Sequence, residues 1–261
     1  MTEVLLASAA VAAGAFSLLW VISLGLRNSS IVDPFWGPGF ALVAWTGYLV
    51  ADDPGSRGLL VAILVTLWGT RLGLHLTVRN RGKGEDFRYR AFRRRWGDRY
   101  RVVSLFTVFL LQAALLWVVS LPVQVAMSTG GSPGPLAAVG VAVWAVGFFF
   151  ETVGDFQLVR FKADPANKGK VMDRGLWGLT RHPNYFGDFT VWWGHFLVAV
   201  SGWAMAWTVI GPVVMSTLLL RVSGVTLLEK SLAKQKPGYA EYAARVNAFF
   251  PGRAQKLTAD S

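Results

Sequence analysis

The chain has 261 residues, of which 53% are hydrophobic and only 16% charged. A soluble domain is nearer a quarter charged, so this composition and a mean hydropathy of +0.42 exclude an ordinary soluble protein. The net charge of +11 gathers in a few loops, which points to the positive-inside rule rather than to nucleic acid, and the absence of cysteine excludes disulfides, thiolate nucleophiles and cysteine-ligated metals.

In chain order, the apolar runs predict about seven transmembrane helices. The first span is Val4 to Leu26, too long and too poorly flanked for a signal peptide, and reads as retained. The second is Phe35 to Ala51, entered through Asp33-Pro34-Phe35-Trp36-Gly37-Pro38-Gly39. Asp33 fits an N-cap with Pro34 in the first helical position, or a polar pocket. The glycines and prolines let the backbone approach something closely. The third span, Leu59 to Val78, carries Arg71 and His75 four apart on one face. Snorkelling accounts for Arg71, and a satisfied core position for His75, as well as a shared polar pocket does.

From Arg79 to Arg101 the chain is strongly basic and holds Glu85 and Asp86, with helical spacing over Phe87 to Tyr100. It reads as a cytoplasmic loop resting on anionic headgroups, with a few arginines left for an anionic ligand. The fourth span is Val103 to Met127, with Pro122 as a kink. The fifth is Leu136 to Phe150, its helical pattern continuing through Glu151 and Asp155 to Lys162. Those two acids share one face, as interfacial charges or as receivers of ligand hydroxyls and amides. An exposed loop with Lys168 and Lys170 follows, then an amphipathic stretch at Leu176 to Thr180.

Arg181-His182-Pro183-Asn184-Tyr185-Phe186-Gly187-Asp188, with Trp192-Trp193-Gly194, stands where this polar loop meets the sixth span, Tyr185 to Val200. Pro183 suits the first turn of a helix, leaving Arg181 and His182 at a water-facing entry. Asn184 and Asp188 share a helical face. A carboxylate one turn inside a membrane helix needs protein, water or a ligand opposite it, so the segment reads as the rim of a buried polar pocket. The seventh span is Ala204 to Leu220. In the tail, Leu227, Leu228, Leu232 and Ala233 predict an amphipathic helix that also carries Glu229, and Tyr242 follows.

The turns at 52–57, 128–135 and 201–203 hold only one basic residue, Arg57. The charge asymmetry therefore puts the C-terminus in the cytoplasm. The expected fold is all-α: one polytopic membrane bundle over 1–261, with cytoplasmic loops and a C-terminal amphipathic helix. No dinucleotide or P-loop glycine fingerprint is present, and His75, His182 and His195 lack ligand spacing, so no metal site is expected. Lys162, Lys168, Lys170 and Arg181 suit phosphate groups.

The Arg181 to Asp188 run with its Trp-Trp-Gly resembles the C-terminal signature of the steroid 5-alpha-reductase-like superfamily. Over nearly the whole chain the sequence is similar to that superfamily's uncharacterised bacterial membrane members. The shared segments are Val32 to Gly37, Arg79 to Asp86, Phe161 to Pro165 and Pro237 to Tyr242. The resemblance implies NADPH bound within 151–251, on the cytoplasmic side of a bacterial inner membrane. By it, Asn184 and Asp188 hold the nicotinamide end, Asp155 and Lys162 the adenosine ribose and phosphate, and Tyr185 and Trp193 line the pocket. Lys168, Lys170, Arg181, His182, Glu229 and Tyr242 complete the expected cofactor set, although the tail does not copy the reductases' His- and Arg-rich clamp. The N-terminal half lacks the steroid-binding motifs, so the substrate does not carry over.

Reduction of an enone-type double bond needs an acid and a proton source besides hydride. Asp33, His75, Glu85 and Tyr185 are the candidates, acting on a lipophilic substrate admitted from the bilayer. Two other readings stand beside this one. A membrane S-adenosylmethionine methyltransferase shares the Arg-His-Pro-x-Tyr core, but such enzymes usually pair two glutamates where this chain has Glu229-Lys230. A non-enzymatic membrane scaffold is the third.

Overall fold

The structure, a computed structural model, describes residues 1–222, 225, 229, 232 and 236–254. It is helical, with no strand among the described residues. Residues 1–138 and 195–211 form one compact unit; residues 139–194 with the chain from 212 onward form a second. Among the described residues, five helical segments are long and apolar enough to cross a membrane: Thr2–Leu26, Gly55–Asn80, Phe87–Val119, Pro135–Ala163 and Trp203–Val222. They correspond to the first, third, fourth, fifth and seventh expected spans. The other two expected spans are helices, Val32–Val50 and Pro183–Ala199, that fall outside this group.

In the first unit, α1 (Thr2–Leu26) is apolar on every side, and its buried residues Val4, Ser8, Ala12 and Phe16 recur every fourth position. One stripe therefore packs on protein, while Leu6 and Leu18 on other faces stay exposed, as a lipid-facing helix requires. Helix α2 (Val32–Val50) begins earlier than the sequence predicts. Ile31 occupies its N-cap without a side-chain bond, so Asp33 is not the cap but a first-turn residue. Pro34 costs no hydrogen bond there, because first-turn N–H groups have no partner inside a helix.

The close approach expected from the Gly/Pro run is to α3 (Gly55–Asn80). A Cβ added at Gly69 would stand 2.8 Å from the Gly37 carbonyl carbon, and one at Gly73 would stand 2.8 Å from the Pro38 ring. The small residues thus serve helix packing.

A basic helix α4 (Phe87–Trp96) leads through α5 (Tyr100–Ser104) and a π-helical stretch, Leu105–Leu110, into α6 (Leu111–Val119). Pro122 does not kink this helix; it opens the next one, α7 (Leu121–Thr129), at its second position. The Gln124 side chain donates to Trp117 O and Ser120 Oγ, both at 2.8 Å, satisfying a backbone acceptor at the break.

Helix α8 (Pro135–Ala163) runs unbroken from the fifth expected span through the acids to Lys162. In the second unit it packs antiparallel against α9 (Pro183–Ala199) along a glycine seam. A Cβ at Gly194 would meet Trp144 N at 2.6 Å, one at Gly147 would meet Val191 N at 2.6 Å, and one at Gly154 would touch the Pro183 ring at 3.1 Å. Glycines seven apart on both helices, 147 and 154, 187 and 194, return to the same face every two turns and bring the backbones together. Helix α10 (Ile210–Thr217) and α11 (Tyr239–Arg245) follow. Leu227, Leu228, Lys230 and Ala233 lie outside the described residues, and the expected tail helix rests largely on them.

Candidate functional site

The seam fixes the first group of expected site residues. Asn184, in the first turn of α9, donates from Nδ2 to Asp155 Oδ1 on α8 at 3.1 Å, and its own Oδ1 accepts from Tyr185 N at 3.1 Å. Asp155 is 7% exposed, and Glu151 one turn earlier is also buried. Asp188 lies half-buried one turn beyond Asn184 on α9. Trp193 donates Nε1–H to Ser216 Oγ at 3.3 Å, tying α9 to α10.

The second group is a clamp centred on Glu229. Arg181 grips it with Nε at 2.9 Å and Nη2 at 3.1 Å, and its Nη1 donates to the Ala243 and Val246 carbonyls, both at 2.7 Å. These bonds engage four of the five guanidinium N–H groups. His182 Nε2 reaches Glu229 Oε1 at 2.8 Å, and the Tyr239 hydroxyl donates to the same oxygen at 2.9 Å.

The expected water-facing entry is therefore closed: His182 is only 2% exposed, its ring stacked on Tyr185. It is closed because the chain around 247–252 folds over it. Arg181 N donates to Asn247 O at 2.9 Å, Thr180 Oγ1 to Phe249 O at 2.8 Å, and Gly252 N to Leu179 O at 2.9 Å. Burial disfavours the Glu229 carboxylate, but the hydrogen bonds from Arg181, His182 and Tyr239 outweigh it and hold its pKa below the ordinary value. Burial pushes the His182 imidazole down, beyond what Glu229 restores, so the ring is neutral and carries its proton on Nε2. Tyr242 donates to Trp177 O at 2.6 Å and packs with Tyr239 and Val246, which makes it part of the same small core.

The lysines form a third group. Lys162 and Lys168 line one cleft of about 320 Å³ together with Lys236. Lys236 also donates Nζ to the Lys170 carbonyl at 2.6 Å. Lys236 and Tyr239 are site neighbours that sequence reasoning did not single out. Pro237-Gly238 was the available signal, since Gly238 at φ +79° turns the chain so that both flanking residues face the 160–182 region.

In the first unit, Asp33 and Glu85 are tied to arginines. Arg88 Nη2 lies 2.9 Å from Asp33 Oδ2, and the Tyr89 hydroxyl donates to Asp33 Oδ1 at 2.7 Å. Arg93 forks onto Glu85 at 2.8 and 3.1 Å, while Ser29 N donates to the same carboxylate at 2.8 Å. Burial works against the Glu85 charge, yet these donors prevail and lower its pKa, so Glu85 is a carboxylate rather than a proton donor. It lines a cleft of about 650 Å³ with Asn80, Arg81, Lys83 and Arg90. His75 sits half-buried on α3, one turn after Arg71. Tyr89 is a further neighbour missed from sequence; its signal was the four-residue step to Arg93, which puts both on the face that meets the acids.

Comparison with known proteins bears on what this arrangement is. A model of the protein family DUF1295, described as proteins of unknown function, matches residues 19–246. The chain belongs to the DUF1295 family. DUF1295 is a steroid 5-alpha-reductase-like family, in agreement with the resemblance carried by the Arg181 to Asp188 run. Among curated proteins, this DUF1295 chain is 25% identical over 266 residues to an uncharacterised protein of Schizosaccharomyces pombe, covering 90% of this chain and 76% of that one. It is 41% identical over 68 residues to a probable O-methyltransferase, ustE, of Ustilaginoidea virens, covering 26% of this chain and 24% of that one. Both relatives are fungal. No solved structure matches.

Proposed function

We propose that this DUF1295 protein is a membrane NADPH-dependent reductase of a lipophilic unsaturated substrate, with its cofactor site within 151–251. The observation that carries this reading is the Asn184–Asp155 hydrogen bond across the glycine seam. It sets an amide and a carboxylate side by side, with Asp188 one turn along. That donor set fits a dinucleotide. An amide and acids complement a carboxamide and ribose hydroxyls, and lysine ammonium groups complement phosphates. Asp155 and Lys162 lie seven residues apart on α8, about 10 Å of helical rise, so a ribose and a phosphate of one ligand can be held from a single rigid helix.

When bound, the cofactor supplies a hydride. The chain's own residues bind and orient. Asn184 and Asp188 fix the amide end, Asp155, bonded to Asn184, the ribose next to that end rather than the adenosine ribose, and Lys162, Lys168 and Lys170 the phosphates, with Tyr185 and Trp193 as aromatic walls. Arg181, His182, Glu229 and Tyr242 act one step back, holding the C-terminal segment against the start of α9. Of the candidate acids Asp33, His75, Glu85 and Tyr185, Glu85 suits the role least, because it is held ionised. The same reading has the protein in a bacterial inner membrane with a cytoplasmic C-terminus. A C-terminal reporter active only outside the cytoplasm stays dark if this is right.

A second reading, a membrane S-adenosylmethionine-dependent methyltransferase, draws on the similarity to the probable O-methyltransferase. The two are separated by thermal stabilisation of the purified protein with NADPH, NADP and S-adenosylmethionine in parallel. A ligand that binds only the folded state adds about 2.7 kcal/mol at a hundredfold excess over its dissociation constant. Stabilisation by NADPH and NADP supports the reductase; stabilisation by S-adenosylmethionine alone overturns it.

A further inference from the structure

Arg57 is the one basic residue among the turns at 52–57, 128–135 and 201–203. It is also 3% exposed. Its Nη2 donates to Thr129 Oγ1 at 2.9 Å and to the Gly130 carbonyl, so it caps the end of α7 with neutral acceptors only. Its Nε is buried without an acceptor. Among the described residues no carboxylate pairs with it. A guanidinium stays protonated in proteins, so this charge is permanent. A buried charge without a counter-ion is strongly unfavourable. Arg57 lies in the first turn of α3, the positive end of that helix, which adds to the cost, and the C-terminus of α7 supplies only a partial negative charge.

Beside Arg57 opens a cleft of about 640 Å³, within the size range of small-molecule sites. No acidic residue lines it, and its walls are Leu136, Phe196, Val198, Trp203 and Ala206 with short polar turns. Trp203 is 94% exposed at its rim, as a tryptophan at a bilayer interface is. One end of the cleft thus presents a buried cation, and its longer walls are apolar.

We propose that this cleft binds a long-chain carboxylate, its head on Arg57 and its acyl chain along the apolar walls. The head supplies the missing counter-charge. The site lies within the first unit and does not rest on the cofactor reading above.

The test uses the full chain in nanodiscs of zwitterionic phosphatidylcholine, with palmitate, hexadecanol and lysophosphatidylglycerol as probes. Palmitate raises the melting temperature, whereas hexadecanol, with the same chain and a neutral head, raises it much less. Arg57→Gln weakens palmitate binding roughly tenfold or more, the value of a charge-assisted hydrogen bond. Should Arg57→Gln fail to fold, Ala206→Trp decides: it fills the cleft, leaves Arg57 in place and is expected to abolish the palmitate shift. Equal shifts from palmitate and hexadecanol, or an Ala206→Trp protein that still responds to palmitate, overturn the proposal. A shift with lysophosphatidylglycerol alone overturns the carboxylate in favour of a phosphate headgroup.

Discussion

Arg181 holds Glu229 through two parallel hydrogen bonds, 2.9 Å from Nε and 3.1 Å from Nη2, across 48 residues of sequence. Both side chains are largely enclosed, at 13% and 23% exposure. Replacing Glu229 by Gln leaves the guanidinium without a counter-charge and weakens two further contacts, from His182 and Tyr239. The expected loss is about 2–3 kcal/mol, below the 3–5 of a fully buried pair because water still reaches Glu229. Tyr239→Phe removes one donor only and costs about 1 kcal/mol. Thermal or denaturant melting of the two variants checks the ranking; an unchanged Glu229→Gln midpoint would show that the clamp contributes nothing to stability.

The same cluster makes the protein sensitive to acid. Burial lowers the His182 pKa from its ordinary 6.5, so below that pH the unfolded chain binds a proton that the folded chain resists. Stability therefore falls as pH falls. Glu229 has its pKa lowered from 4.5 despite its burial, by Arg181, His182 and Tyr239. Its contribution is present above that value and is lost as pH drops through the folded pKa. The melting temperature should start to decline below pH 6.5 and steepen below 4.5. His182→Gln removes the first stage and leaves the second. A melting temperature that is flat from pH 7 to 4 contradicts this account.

Gly187 sits where α9 crosses α8, and a Cβ there would stand 2.6 Å from the Gly147 carbonyl oxygen and the Glu151 Cβ. Gly187→Ala must push the helices apart. The expected cost is about 1–3 kcal/mol, the range for overpacking. Gly14, in α1, has nothing within 4 Å of an added Cβ. Gly14→Ala should therefore be neutral or stabilising by up to about 1 kcal/mol. Equal behaviour of the two variants in melting experiments would contradict the seam.

Lys162 tests the phosphate end of the proposed cofactor site. Lys162→Ala is expected to weaken NADPH binding by about 1.5–3 kcal/mol, the value of a hydrogen bond to a charged group, and NADH binding much less. Isothermal titration with both cofactors gives the comparison. Equal losses would mean that Lys162 does not read the 2′-phosphate.

Asp188 tests the other end. Asp188→Asn keeps the size and replaces one acceptor oxygen with a donor amine, so NADPH affinity should drop sharply while the ligand-free protein melts close to wild type. If Asp188 instead holds helices together through a buried ion pair, the variant loses about 3–5 kcal/mol without any ligand. A large fall in ligand-free stability with unchanged affinity removes Asp188 from the cofactor site.

The sequence by itself determined the helical membrane character and most helix limits. Apolar runs and their 3.6-residue period are local properties, which is why α8 was legible as one helix from Leu136 to Lys162. It also marked Asn184 and Asp188 as one face, and Asp155 as either an interfacial charge or a receiver of ligand groups. Only the tertiary structure decided who those partners are. The Asn184–Asp155 bond spans 29 residues, Arg181–Glu229 spans 48 and Tyr242–Trp177 spans 65. None of these pairings has a period. The glycines of the seam were visible as letters, but their seven-residue spacing acquires meaning only when a second helix with the same spacing lies against it. Likewise Pro122 reads locally as a kink and Asp33 as a cap or a pocket residue, whereas the structure makes Pro122 part of a helix start and Asp33 the partner of Arg88. For Asp33 the choice was made by neighbours far along the chain, Arg88 and Tyr89, whereas for Pro122 it was made close by, by a Gln124 side chain that satisfies the interrupted backbone at Trp117.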